Sequence, residues 1–138
     1  MKALVDTNVL SELRKGERCN HQVRGWFDGV AEQDLFLSVL TIGELRRGID
    51  GIARRDAKSA GALDRWFRAL VDLYAERILD IDRPIAEAWG RMNVPDPLPV
   101  IDGLLAATAS VHGLTLVTRN TKHIARTGVS CVNPFLAE

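Results

Sequence analysis

Three acids, Asp6, Glu44 and Asp102, each sit against an apolar segment, far apart in a chain of 138 residues. Asp6 follows the apolar run Ala3-Leu4-Val5 and precedes Thr7-Asn8-Val9-Leu10. Glu44 lies in Ser38-Val39-Leu40-Thr41-Ile42-Gly43-Glu44-Leu45. Asp102 is the only charge in Val100-Ile101-Asp102-Gly103-Leu104-Leu105-Ala106-Ala107-Thr108-Ala109. Each has a local explanation. Asp6, Thr7 or Asn8 would N-cap a following helix, and Thr41 with Glu44 fits a capping box. Asp102 would gain from a helix N-terminus, but an exposed site of that kind is worth under about 1 kcal/mol. That is small against burying a carboxylate in so apolar a helix, and a cation compensates it better.

If the three acids converge, each pair at 4 Å costs roughly 4 kcal/mol at an effective dielectric near 20. A divalent ion removes that penalty, and oxygen-only ligands select Mg²⁺ or Mn²⁺ over zinc. Such an ion leaves positions open for phosphate oxygens, which points to phosphoryl chemistry with an activated water. A fourth segment, Thr115-Leu116-Val117-Thr118-Arg119-Asn120-Thr121-Lys122-His123, supplies Thr118 and Asn120 to orient a water, or simply a turn with local caps. Arg119 and Lys122 there, and Arg46 and Arg47 after Glu44, would meet phosphate or be surface charge.

The elements that must position these groups are short. Strand-like runs cover Ala3-Leu4-Val5, Leu35 to Ser38, Thr115 to Thr118 and Val129 to Val132, with a weaker one over Ile78 to Ile81. Most lack apolar/polar alternation, as strands covered on both faces do. Helical periodicity runs from Gly61 to Ile78, a helix starts near Pro84, and another spans Val100 to about His112 with Gly113 as its cap. Strands interleaved with helices predict a single α/β domain over residues 1–138 with a mainly parallel sheet. Asn93 to Pro99 reads as a loop. The polar stretch Ile49 to Ala60, carrying Arg54, Arg55, Asp56 and Lys58, reads as a solvated hairpin tip or a partner contact. Trp26-Phe27, Trp66-Phe67 and Trp89 serve core packing or a dimer face.

Basic and acidic residues balance at 18 each, so a broad basic surface for nucleic acid is excluded. RNA would have to be engaged through metal and a few local cations. Cys19 and Cys131 lack metal-site spacing and read as free thiols in a reducing compartment. No signal-like segment and no membrane-length apolar run is present, which predicts a cytoplasmic protein without a membrane partner.

In order along the chain, Leu4-Val5-Asp6-Thr7-Asn8-Val9-Leu10-Ser11-Glu12, Ser38-x-x-Thr41-x-x-Glu44-Leu45 and Pro99 to Ala109 resemble motifs of the PIN-domain family, specifically VapC-type toxins of bacterial type II toxin–antitoxin systems. Leu116-Val117-Thr118-Arg119-Asn120 and Asn133-Pro134-Phe135 extend the likeness over essentially the whole chain. The resemblance implies a three-layer α/β/α fold around a sheet of four to five strands. It implies a metal-dependent endoribonuclease acting on tRNA or ribosomal RNA, with Mg²⁺ or Mn²⁺ held by Asp6, Glu44 and Asp102. Thr118 and Asn120 would join the catalytic set, and Arg46, Arg119, Thr7 and Asn8 would face substrate. The implied partners are a cognate VapB-type antitoxin, operator DNA reached only through that antitoxin, and a second copy of the chain. One departure stands out: many relatives carry a fourth acid where this chain has Asn120 or His123.

Two rival enzymes fit less well. A haloacid-dehalogenase-like phosphatase wants a second acid where Asn8 stands, and a response-regulator receiver wants adjacent early acids and a late lysine. The non-enzymatic alternative is a PIN-like protein acting by partner binding.

Overall fold

Strand β1 (Ala3–Val5) has all three residues buried, and its side chains split between two cores. Ala3 and Val5 face a cluster with Val9, Val23, Leu37, Leu45, Phe67 and Tyr74. Leu4 faces a second cluster with Leu105, Ala106, Ala109, Leu116 and Ile124. Period-two side-chain alternation with both faces covered gives three layers. The computed structural model describes residues 1–136.

Strands β2 (Leu35–Ser38), β3 (Ile78–Leu79), β4 (Thr115–Val117) and β5 (Cys131–Val132) complete a sheet of order β3-β2-β1-β4-β5. All four pairings are parallel. The chain therefore leaves β1 toward one side and returns beside it as β4. Between those neighbours lies the crevice where open parallel sheets take ligands.

Helices α1 (Thr7–Leu13), α2 (His21–Asp28), α3 (Val39–Ala53) and α4 (Ala57–Leu73) follow β1 and β2. Helices α5 (Arg83–Met92), α6 (Val100–His112) and α7 (Thr121–Ile124) complete the set. Gly113 ends α6 at φ 65°, a left-handed cap that favours glycine. Asn93 organises the proline-rich loop after α5, donating from Nδ2 to the Trp89 carbonyl and accepting from the Leu98 N–H.

The expected three-layer α/β/α architecture stands, with several boundaries moved. The helix expected over Gly61 to Ile78 begins at Ala57, because Asp56 caps it by accepting from the Ser59 N–H. It ends at Leu73, and Ile78 leaves the helical register to pair with Leu37 in the sheet. Most of the polar Ile49 to Ala60 stretch is helical, since α3 runs to Ala53 and leaves a turn of three residues, Arg54 to Asp56. The last strand shortens from Val129–Val132 to Cys131–Val132, and β4 stops at Val117. Cys19 and Cys131 are both free thiols.

Candidate active site

Asp6 is the residue at which β1 becomes α1. Its N–H extends the sheet by donating to the Val117 carbonyl, while its Oδ1 accepts from the Thr7 N–H as the helix cap. The capping role is therefore real, and it leaves Oδ2 for other partners. Thr118, one residue past β4, donates its hydroxyl to Asp6 Oδ2 at 2.6 Å. Asn8 Nδ2 adds a longer bond to the same oxygen at 3.3 Å. Strand ends side by side in the sheet thus bring residues 112 positions apart into contact.

Glu44 arrives from α3. The expected capping box does not form, because α3 starts earlier, at Val39, with Ser38 Oγ accepting from the Leu40 N–H. Thr41 is then inside the helix, buried, with its hydroxyl unpaired. Glu44 is released from capping, and its Oε1 accepts the Thr7 hydroxyl at 2.6 Å. Asp102 lies in the first turn of α6, which has no side-chain cap and where the helix N-terminus favours a negative charge.

These acids share one cleft of about 260 Å³, lined by Asp6, Thr7, Asn8, Glu44, Ile101, Asp102 and Asn120. A larger recess of about 480 Å³ lies beside Arg91, Met92, Val94, Pro95 and Asp96, away from these acids. Chemistry, not volume, selects the acidic cleft. Asp6, not Asp102, is the buried acid, at 5% exposure; Asp102 is half-buried. Burial pushes the Asp6 carboxyl above its ordinary value, and the charges of Glu44 and Asp102 push it the same way. The bonds from Thr118 and Thr7 pull it back.

Four of the other expected site residues take roles that the sequence left open or assigned differently. Thr118 is buried, and its hydroxyl is engaged with Asp6; its oxygen also accepts the Asn120 N–H at 3.0 Å. Thr7 and Asn8 hold the carboxylates rather than projecting freely toward a ligand. Asn120 is exposed on the cleft wall. Lys122 and His123 are exposed on α7 and do not line the cleft.

The two arginines differ. Arg46 does not line the cleft: its guanidinium bonds Asp50 at 2.9 Å and Asp64 at 2.7 Å and lies 5.1 Å over the Phe67 ring. Its expected place facing substrate is corrected, because a basic group two residues from Glu44 projects from a different side of the helix. Arg119 does not line the cleft either, but it is held beside it, next to Asn120 on the cleft wall. Its N–H donates to Asn8 Oδ1, and its guanidinium lies 3.7 Å over the Phe135 ring. Among the described residues that guanidinium has no hydrogen-bond or ion-pair partner. Phe135 as a seat for Arg119, and Ile101 as an apolar wall, carried no local sequence signal.

Among the described residues no three carboxylate, imidazole or thiolate groups form a ready-made cluster around one ion. The oxygen-only donor set still fits Mg²⁺ or Mn²⁺, which bind through one or two carboxylates and keep several waters. No described helix is long and apolar enough to cross a membrane.

The profile of the PIN domain matches residues 3–129. Toxin FitB of Neisseria gonorrhoeae is 32% identical over 137 residues, covering 96% of this chain and 97% of that protein. The VapC ribonuclease Y4jK of Sinorhizobium fredii is 28% identical, with 96% of each covered. The structure of FitAB bound to an IR36 DNA fragment superposes with a TM-score of 0.88 at 30% identity, covering 99% of this chain and 97% of that one.

Proposed function

The chain belongs to the PIN domain family, and from that membership and its acidic cleft we propose that it is the toxin of a type II toxin–antitoxin pair. It is an endoribonuclease, cutting tRNA or ribosomal RNA and so stopping translation until a cognate VapB-type antitoxin neutralises it. The names of its relatives, a toxin and a VapC ribonuclease, support this reading. A relative solved as the FitAB complex on DNA supports a DNA-bound toxin–antitoxin assembly, in which we assign the operator contact to the antitoxin. The working form is a cytoplasmic homodimer.

The observation that carries the enzymatic reading is the sharing of one cleft by Asp6, Glu44 and Asp102 at the carboxyl edge of the sheet. An inactive site has no reason to keep carboxylates that repel one another. Asp6, Glu44 and Asp102 would hold Mg²⁺ or Mn²⁺. Bound there, the ion would offset the three charges, polarise a phosphodiester and lower the pKa of an attacking water.

The protein's own groups prepare that site. The Thr7 N–H and Thr118 hydroxyl each take one oxygen of Asp6, fixing the plane of its carboxylate. The Thr7 hydroxyl fixes Glu44, so a single residue orients two acids. Asn120, at one of the two places where the family resemblance implies a fourth acid, offers an amide that orients a water without adding charge. Arg119 faces a phosphate flanking the scissile bond.

The test is RNA cleavage by purified, antitoxin-free protein with Mn²⁺ or Mg²⁺, beside Asp6→Asn and Asp102→Asn. Metal-dependent cleavage lost in both variants is the expected result. Equal cleavage by all three proteins would sink the catalytic assignment, and none by the wild type would leave the partner-binding reading in its place.

A further inference from the structure

Seven basic and three acidic residues fall between Arg46 and Arg68, against eleven basic and fifteen acidic over the rest of the chain. A chain neutral overall thus carries a basic outer segment of the α3–α4 hairpin, Arg46 to Arg68, and an acidic remainder. The three acids of that segment are already engaged. Asp50 pairs with Arg46, Asp64 with Arg46 and Arg68, and Asp56 accepts the Ser59 hydroxyl and N–H. Arg47, Arg54, Arg55, Lys58 and Arg65 are all exposed. Among the described residues none of their side chains makes a hydrogen bond or ion pair.

Spacing groups these cations. Arg47 on α3 and Arg54, the C-cap that continues its helical backbone, are seven residues apart, and Lys58 and Arg65 are seven apart on α4. Seven residues is close to two turns, so each pair shares one helix face. The arm also connects to the cleft. A groove that opens at Glu44 continues past Gly48 and Ile52 on α3, with Leu63 and Trp66 of α4 as its far wall. From Glu44 to Arg54 the helix rises about 15 Å. A strand lying in the cleft can therefore reach the hairpin tip within a few nucleotides.

The tip's chemistry selects the occupant. Of the large apolar residues exposed on the described surface, Met1, Leu73, Val94, Val100, Val111 and Leu136, Leu73 alone belongs to the hairpin, at the end of α4 far from the turn, and none lies at the tip. Protein interfaces are anchored by buried aromatic and apolar groups. A polyanionic backbone needs only uncompensated cations. We propose that the α3–α4 hairpin is a basic arm that grips the RNA backbone outside the acidic cleft, through Arg54, Arg55 and Lys58 at its tip. This deepens the endoribonuclease reading and rests on it for the identity of the polyanion. The balanced total charge hides the arm.

The test is binding of a labelled 20-nucleotide oligouridylate by the full chain in chelator, over a series of salt concentrations. Each phosphate contact on a single strand contributes about 0.7 to the slope of log affinity on log salt. The triple variant Arg54→Gln, Arg55→Gln, Lys58→Gln should lower that slope by about 2. A control triple, Lys2→Gln, Arg83→Gln, Arg91→Gln, removes the same charge elsewhere and should leave the slope near the wild-type value. Arg54→Lys, Arg55→Lys, Lys58→Arg should restore it, which separates charge from folding. On a long RNA the first triple should raise KM more than it lowers kcat.

A wild-type slope in the tip triple, or an equal loss in the control, overturns the arm. A tip triple that binds RNA normally but loses an acidic protein partner overturns it too, and makes the hairpin a protein-facing surface. An arm-dependent slope in a protein that cleaves no RNA with Mn²⁺ or Mg²⁺ would instead support the arm and remove the nuclease reading.

Discussion

The Thr118 hydroxyl donates to Asp6 Oδ2 at 2.6 Å, tying the end of β4 to the end of β1 at the crevice of the sheet. This bond joins a buried hydroxyl to a buried carboxylate whose pKa is already raised by burial. Hydrogen bonds to charged groups contribute about 1.5–3 kcal/mol. Thr118→Val keeps the shape and removes the donor. It should lower the cleavage rate by roughly tenfold or more, while Thr118→Ser retains most of it. Single-turnover rates on one RNA would check this; equal rates for Val and Ser would show that the hydroxyl does not matter.

The raised pKa of Asp6 predicts that this group costs the folded protein stability as pH rises toward neutrality. Between the ordinary carboxylate pKa and the raised one, the folded chain holds a proton that the unfolded chain has released. Stability from this group therefore falls as pH rises from the ordinary carboxylate pKa through the raised one, and stays lost above it. Asp6→Asn should melt at a higher temperature than wild type at pH 7, with the difference closing as pH approaches 3. Mn²⁺ should raise the wild-type melting temperature and not that of Asp6→Asn. Thermal melts across pH, with and without metal, would test both; a lower Tm for Asp6→Asn at pH 7 would contradict the sign.

Thr7 and Glu44 should behave as one unit. Thr7→Val removes the donor to Glu44 Oε1, and Glu44→Gln removes the charge it supports. Residues in one hydrogen-bond network deviate from additivity by about 0.5–3 kcal/mol. Each single substitution should slow cleavage, and Thr7→Val should cost much less when added to Glu44→Gln. A double-mutant cycle on kcat/KM measures the coupling; strict additivity would separate the two residues.

Two arginines that look alike in sequence should part company. Arg119→Ala should raise KM for RNA several-fold and leave the melting temperature near wild type, since its guanidinium is exposed over Phe135. Arg46→Ala should chiefly lower stability, by about 1 kcal/mol or less, because its ion pairs are partly exposed. Steady-state kinetics and urea unfolding on the same proteins would distinguish them. A KM effect at Arg46 alone would reverse the assignment.

Glycines in helices should divide the same way. Gly51 in α3 has open space around a prospective Cβ, so Gly51→Ala should stabilise by up to about 1 kcal/mol through helix propensity. A Cβ on Gly103 would meet the Trp89 ring at 3.2 Å and Leu98 Cβ at 3.4 Å. Overpacking of about 1–3 kcal/mol should cancel or exceed that gain in Gly103→Ala and disturb α6, which carries Asp102. Urea unfolding of the two variants gives the comparison.

The features legible in the sequence were those decided within a few residues. Unbroken apolar runs marked the buried strands, Gly113 marked the end of α6, and Asp6 stood where a strand gives way to a helix. The order of acid-bearing segments, met one after another, pointed to the fold and the chemistry before any contact was known. Contacts across the chain decided the rest. Ser38 competed with Thr41 for the cap of α3 and won, which freed Glu44 for Thr7. Asp64, 18 residues away, took Arg46 out of the site, and Phe135 seated Arg119 beside it. Burial settled on Asp6 rather than Asp102, because a strand end at the centre of a sheet is enclosed by its neighbours, whereas the first turn of a helix keeps one side to solvent. Local pattern fixes an element because its determinants are its own neighbours; which charges meet is set by where distant strands and helices end.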